Sequence, residues 1–248
     1  HGLRIDGNDT VWTGGSEGNQ ILKFPRDGRF MLQIGRPGES KGNSDTENLN
    51  RPADIDVDMD ANEVYVADGY GNRRVIVFDA TTGEYKRHWG AYGKPPDDVV
   101  PEEFDPSAAP PGRFGGPGNG VHCVRVSNDG FVYVCDREQH RIQVFRKDGT
   151  FVREFFWTNR AGQGRPAWDI DFSRDPSQAF MYDADGENRK VWILRREPLE
   201  VVGSFGRGGG RWAGQFFGAH SLAVDSNGNV YVGETYEGKR VQKFVYRP

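Results

Sequence analysis

One block of sequence occurs five times in this 248-residue chain, and that repetition constrains the fold more than any other feature. The copies are HGLRIDGNDTVWTGGSEGNQILKF, ADIDVDMDANEVYVADGYGNRRVIVF, HCVRVSNDGFVYVCDREQHRIQVF, WDIDFSRDPSQAFMYDADGENRKVWIL and HSLAVDSNGNVYVGETYEGKRVQKF. Each reads as a short strand, a turn, an aromatic-centred strand, a polar corner and an apolar strand. Most are followed by a fourth strand, as in GEYKRHWG, GTFVREFFW and LEVVGSFG. Asp129-Gly130, Asp148-Gly149 and Asn227-Gly228 supply the positive-φ positions that tight hairpins require. Four antiparallel strands per repeat of about 40 residues describe the blades of an all-β propeller. The blades fall at about 1–35, 51–90, 118–157, 165–206 and 217–248, forming one domain. Residues 36–50 and 91–117, polar and rich in Pro and Gly, are insertions that read either as binding loops or as surface excursions.

The histidines fall in phase with these repeats. His1 to Trp12, Asp54 to Tyr65, His122 to Tyr133 and His220 to Tyr231 are each 11 residues, and Asp169 to Met181 is 12. The count predicts one ring position carrying His, Asp, His, Asp, His. First strands line the channel of a propeller, so in a six-bladed ring the three histidines would stand about 120° apart and converge on the axis. A catalytic zinc uses such a three-nitrogen set and keeps a position open for water or substrate. The spacing therefore predicts a six-bladed type of ring with five blades visible. The alternative is three channel-lining imidazoles hydrogen-bonded to water. His88, on a fourth strand, and His140, in a corner, need only surface or packing roles.

Composition narrows the partners. Net charge is −4 with both signs interspersed, so no broad nucleic-acid face is expected. No stretch approaches the ~18 apolar residues of a membrane span, so no membrane partner is expected either. Cys123 and Cys135 lie on neighbouring strands of one hairpin; half-buried free thiols are the favoured reading over a cross-strand disulfide.

The repeats resemble NHL-repeat propellers, most clearly in RPADIDVD…VYVADGYGNRRVIVFD. With HGL, VHC and AHS beside VADGYGNRRVIVF and CDREQHRIQVF, the resemblance narrows to the peptidyl-α-hydroxyglycine α-amidating lyases, which release glyoxylate and leave a peptide amide. That resemblance implies zinc on His1, His122 and His220, Tyr70 as the base, and Arg137 as a catalytic arginine that also binds substrate. It implies a small-molecule or peptide substrate with a C-terminal carboxylate, and a secreted or periplasmic setting. The family's structural calcium uses an aspartate where this chain has Ser221, and a hydroxyl replaces a carboxylate poorly on a hard cation. An apolar substrate-side residue of the family is Gly218 here, and the family's further arginine, in its first blade, lies upstream of the sequence in hand.

The residue chemistry fits this reading independently. Cleaving the C–N bond of a carbinolamide needs a polarised hydroxyl, a proton acceptor and a group that holds a carboxylate. Structural roles compete for the same residues: Tyr70 could cap a corner, and Arg137 could pair with a carboxylate between blades. Arg74 and Arg141 are expected to be such interblade staples. Two other functions stay open, a non-catalytic propeller that binds a protein or glycan, and a calcium-dependent lactone hydrolase. The latter should present mostly carboxylates, whereas this ring is rich in histidine.

Overall fold

The computed structural model describes residues 1–157 and 165–247. It is an all-β propeller of five blades, each an antiparallel meander. Blade 1 holds β1 (Leu3–Ile5), β2 (Val11–Gly15), β3 (Gln20–Phe24) and β4 (Leu32–Ile34). Blade 2 holds β5 (Asp54–Asp58), β6 (Glu63–Asp68), β7 (Arg74–Asp79) and β8 (Tyr85–Trp89). Blade 3 holds β9 (Cys123–Val126), β10 (Phe131–Asp136), β11 (Arg141–Arg146) and β12 (Phe151–Phe156). Blade 4 holds β13 (Asp169–Phe172), β14 (Phe180–Asp185), β15 (Lys190–Arg195) and β16 (Glu200–Phe205). Blade 5 holds three strands, β17 (Ala219–Val224), β18 (Val230–Glu234) and β19 (Val241–Phe244).

Alternation puts one face of each blade against the next, and the core is the set of these interfaces. Val64, Val66 and Ile76 of blade 2 pack with Trp12 and Ile21 of blade 1, while Tyr65, Val75 and Val77 pack with Val124 and Val132 of blade 3. The six-bladed expectation is not met within this chain, which forms five blades. Packing joins each blade to the next, but no comparable packing joins blade 5 to blade 1 among the described residues. Leu3 (66% exposed), Ile5 (61%) and Val241 (69%) are left uncovered there, unlike their counterparts at the other interfaces.

Buried polar staples align the inner strands. Asp56 accepts from the Val126 amide at 2.7 Å, and Asp171 accepts from the Val224 amide at 2.8 Å, each on the next blade. Asp54 and Asp169 do the same for Val124 and Leu222, and both bind the buried guanidinium of Arg125. Each carboxylate thereby satisfies amides that the first strand of the neighbouring blade would otherwise leave unpaired.

Two expectations are corrected. Arg74 and Arg141 do not tie blade to blade. Arg74 pairs with Asp68 of its own corner and donates to the carbonyls of Asn43 and Asn48, both at 2.8 Å, in the first insertion. Arg141 pairs with Asp136 and donates to Arg113 O at 2.8 Å in the second. Asn43 also bonds Asp98 at 2.8 Å, so the insertions form a docked collar over the corners rather than loose excursions. Cys123 and Cys135 are bonded, not free: they stand directly opposite in the β9–β10 register with Cα atoms 4.8 Å apart, within disulfide reach. His88 meets the Tyr85 hydroxyl at 3.0 Å, and His140 stacks on Phe104 with ring centres 4.1 Å apart.

Candidate metal centre

The three phased histidines meet at one end of the channel, where their ligand nitrogens lie within 4.8 Å of one another. They open onto a cavity of about 530 Å3 that Trp168, Asp54 and Arg125 also line. A larger and more apolar cavity of about 810 Å3, between blades 4 and 5, contains no histidine; side-chain chemistry, not size, singles out the channel.

Strand register explains the convergence and corrects the count that pointed to it. The residues opposite the second-strand aromatics Trp12, Tyr65, Tyr133, Tyr182 and Tyr231 are Arg4, Asp56, Arg125, Asp171 and Ala223. Three residues before these stand His1, Ala53, His122, Trp168 and His220. Asp54 and Asp169 therefore lie one position further along, level with Cys123. The hairpins of blades 2 and 4 are one and three residues longer than the others, so counting back from the aromatic stops short there.

The even blades supply something else at this level. His1 Nδ1 donates to Ala53 O at 2.5 Å, and His122 Nδ1 donates to Trp168 O at 2.5 Å. A carbonyl only accepts, so in both rings the proton sits on Nδ1 and the Nε2 lone pair faces the channel. His220 Nδ1 instead meets Ser221 Oγ, at 3.1 Å. Such outer partners are how proteins orient histidine ligands on a metal.

The donor set fits a cation. His1 Nε2 faces His220 Nε2 at 3.2 Å, and the Tyr70 hydroxyl lies 3.0 Å from His1 Nε2 and 2.8 Å from His122 Nε2. Tyr70 has one phenolic proton for the Nε2 lone pairs of His1 and His122, and His220 Nε2 faces His1 either as a third lone pair or, with its proton on Nε2, as a donor. Three neutral imidazole nitrogens brought this close are a set that zinc takes. Burial, reinforced by Arg137, holds His122 well below the usual imidazole range and brings His220 to about 4, so both remain neutral and able to ligate. The second acidic cluster, Asp54, Cys123 and Asp169, has its sulfur in the disulfide and its carboxylates on Arg125, which leaves it structural.

Tyr70 and Arg137 reach this point from corners. Gly69 makes the approach feasible, since a Cβ there would lie 1.6 Å from Val121 O, next to His122. The short 3-10 turn Arg137–Gln139 carries Arg137, whose guanidinium lies 4.8 Å over the Trp168 ring. Arg137 is 7% exposed, its nearest carboxylate is Glu138 at 3.6 Å, and its Nε has no partner among the described residues. A buried guanidinium with no closer carboxylate, although its Nη2 reaches Asn119 at 2.9 Å, is poised for an anion. Burial pushes the Tyr70 phenol above its ordinary pKa, while Arg137 and, less strongly, Arg51 pull it down.

Sequence reading missed Trp168 and Arg51. Trp168 touches His122, His220 and Arg137, and its signal was its level with the histidines once hairpin length is allowed for. Arg51 lies 5.7 Å over the Tyr70 ring, at a left-handed backbone position (φ 58°) that only the structure reveals.

Comparison with known proteins places these observations. The NHL repeat model matches residues 49–78, 119–145 and 218–244, so the chain carries NHL repeats in blades 2, 3 and 5. Peptidyl-glycine alpha-amidating monooxygenase of Mus musculus is 28% identical over 95% of this chain and 22% of its own length. Peptidyl-alpha-hydroxyglycine alpha-amidating lyase 1 of Drosophila melanogaster is 27% identical over 100% of this chain and 44% of its own. NHL repeat-containing protein 3 of Mus musculus, whose name states no reaction, is 26% identical over 99% of this chain and 66% of its own. The chain thus spans about a quarter of the monooxygenases it matches. Among solved structures, the WD40 β-propeller domain of Doa1 superposes with a TM-score of 0.61 at 12% identity over 99% of this chain and 63% of that one, a likeness of fold alone.

Proposed function

We propose that this propeller is a zinc-dependent lyase that cleaves the C–N bond of an α-hydroxyglycine-type carbinolamide, giving an amide and glyoxylate. The observation that carries the reading is the convergence of three Nε2 atoms and the Tyr70 hydroxyl beside the weakly paired Arg137. Zinc on His1, His122 and His220 would supply the positive charge that acidifies the substrate hydroxyl. Arg137 binds the carboxylate, with Trp168 holding its guanidinium flat. Tyr70, whose phenol burial raises against the pull of Arg137, would accept the hydroxyl proton once a cation on the histidines draws it down. The C–O bond becomes a carbonyl as the C–N pair leaves with the amide nitrogen, which takes a proton. Relatives named for this reaction support the assignment. No calcium is assigned, because Ser221 offers a hydroxyl rather than a carboxylate.

The open wedge between blades 5 and 1 supports a sixth blade in the native ring. His220 Nδ1 lacks the next-blade carbonyl that His1 and His122 enjoy, and Leu3, Ile5 and Val241 lack a covering face. A structure of a longer form of the protein with that wedge still open would refute this.

The test combines zinc content by elemental analysis with glyoxylate release from N-benzoyl-α-hydroxyglycine, for the parent, Tyr70→Phe and Arg137→Ala. About one zinc per chain, with glyoxylate release lost in Tyr70→Phe, is expected, and Arg137→Ala should raise KM more than it lowers kcat. Zinc binding without glyoxylate from any such amide would leave a metal site and remove the lyase. Neither would favour the partner-binding reading, which the apolar wedge supports.

A further inference from the structure

The cavity of about 810 Å3 between blades 4 and 5 lies at the first-hairpin end of the blades, away from the histidines. At the two preceding interfaces, cations fill the equivalent space. Arg87 stands opposite Val77 and donates to the Tyr65 hydroxyl at 2.9 Å; Arg153 stands opposite Val144 and donates to the Tyr133 hydroxyl at 3.3 Å. A second cation comes from the next blade, three residues beyond the third-strand partner of its tyrosine. These are Lys147, on Asp58, and Arg196, on Asp129 and the Tyr133 hydroxyl.

Blades 4 and 5 supply neither cation. Gly203 stands opposite Ile193, in the place of Arg87 and Arg153, and Tyr246 takes the place of Lys147 and Arg196. A Cβ at Gly203 would meet only Ile193 Cδ1, at 3.9 Å, so the room for an arginine stem is open. A fourth strand beside β19 would leave the gap, because at the earlier interfaces that strand contributes the apolar Phe151 and Val201.

The acceptors remain without their cations. Ser173 and Asp175 repeat the turn of Ser127 and Asp129, each serine donating to its aspartate, at 2.5 and 2.6 Å. Both Asp129 oxygens accept from Arg196, at 2.8 and 2.9 Å, whereas Asp175 has no ion pair among the described residues. The Ser173 and Ser177 hydroxyls bring the Asp175 carboxyl to about 2, so it is ionised. Asp175 lines the cavity with Tyr182, whose hydroxyl makes no hydrogen bond among the described residues. Phe180, Phe205 and Phe244 form its aromatic walls, and Phe180 repeats Phe131, over which Arg153 lies at 5.9 Å. Arg174, the cation in the lining, is committed to Asp171 at 2.8 Å and to Val224 O at 2.6 Å.

We propose that this cavity binds an external guanidinium carried on an apolar stem, seated between the aromatic walls with its charge on Asp175 and the Tyr182 hydroxyl. A guanidinium is weakly hydrated, lies on aromatic faces and forks onto a carboxylate, and the neighbouring interface uses one for the same acceptors. The volume is that of a small-molecule site, which typically spans roughly 300–1,000 Å3. The site shares no residue with the histidine centre, so it stands whether or not the lyase reading does.

The test is calorimetric titration with benzylguanidine and with benzylurea, a neutral compound of the same shape. The parent should bind benzylguanidine about tenfold more tightly than benzylurea. Asp175→Asn should remove that difference, since the amide still accepts from the turn but carries no charge. Gly203→Arg, which restores the internal cation, should block both compounds while keeping a cooperative thermal transition. Asp175→Asn keeps the test decisive should the larger side chain unfold the protein. Equal affinity for the two compounds, no binding of either, a preference that survives Asp175→Asn, or unaltered binding to folded Gly203→Arg would overturn the proposal.

Discussion

Replacing His122 by alanine should abolish the zinc-dependent part of the protein's stability. His122 is 3% exposed, offers Nε2 to the channel, and is oriented by Trp168 O. A ligand that binds only the folded state stabilises it by RT ln(1 + [L]/Kd), about 2.7 kcal/mol at free zinc of about 100 times Kd. For a domain of this size each kcal/mol moves Tm by roughly 2–4 °C, so the parent should gain roughly 5–11 °C. Losing one of three nitrogens should weaken binding more than the roughly 10–100-fold that loss of an outer partner costs. At the same free zinc, a 100-fold weaker site leaves only about 0.4 kcal/mol, or about 1 °C. Ser221→Ala removes only the Nδ1 partner of His220, and a tenfold weakening would leave about 1.4 kcal/mol. The assay is thermal denaturation of each protein with and without zinc, each compared with itself so that any folding defect cancels. An equal zinc-induced rise in parent and His122→Ala, or none in the parent, would refute the assignment.

Two further predictions concern the frame that holds the site. Glu63 is bound by Arg87, Lys86 and the Tyr65 hydroxyl, which together outweigh its burial and bring its carboxyl from 4.5 to about 2. A depressed pKa contributes stability above the unfolded value and loses it as pH falls through the folded one. Glu63→Gln should therefore cost roughly 3 kcal/mol in urea unfolding at pH 7, with the gap narrowing below pH 4.5 and closing near 2; a gap independent of pH would contradict this. Arg125→Met strands the buried carboxylates of Asp54 and Asp169 and should cost about 3–5 kcal/mol, and adding Asp54→Asn and Asp169→Asn should recover part of it. A loss below about 1 kcal/mol would show that the guanidinium is dispensable.

The blades were legible because each hairpin writes its own signal locally, an aromatic strand between a turn and a polar corner. The NHL matches fall on the blades where that signal was clearest. Register was not legible, because the extra residues in the hairpins of blades 2 and 4 look like any other turn residue until the strands are paired. The count thus found all three histidines correctly while misplacing Asp54 and Asp169 by one level. Nor could spacing reveal that Tyr70 and Arg137 meet the histidines. Both came from resemblance, since corner side chains converge only once the ring curves. The insertions were equally opaque: Arg74 and Arg141 read as staples, but their partners are backbone carbonyls, which leave no trace in side-chain identity.

The corrected register gives the alternation a physical cause. Odd blades bring an imidazole to the channel, and even blades bring the carbonyl that fixes its tautomer, Ala53 for His1 and Trp168 for His122. One position further along, the even blades carry Asp54 and Asp169, whose carboxylates grip the amides of the next odd blade. The working unit is therefore a pair of blades: the first presents a nitrogen, while the second orients it and registers the pair that follows. Two such pairs are complete here. The third has its nitrogen, on His220, but takes a serine hydroxyl where the others take a carbonyl. That makes His220 the most loosely oriented of the three nitrogens, on the side where Tyr236 and Trp168 approach.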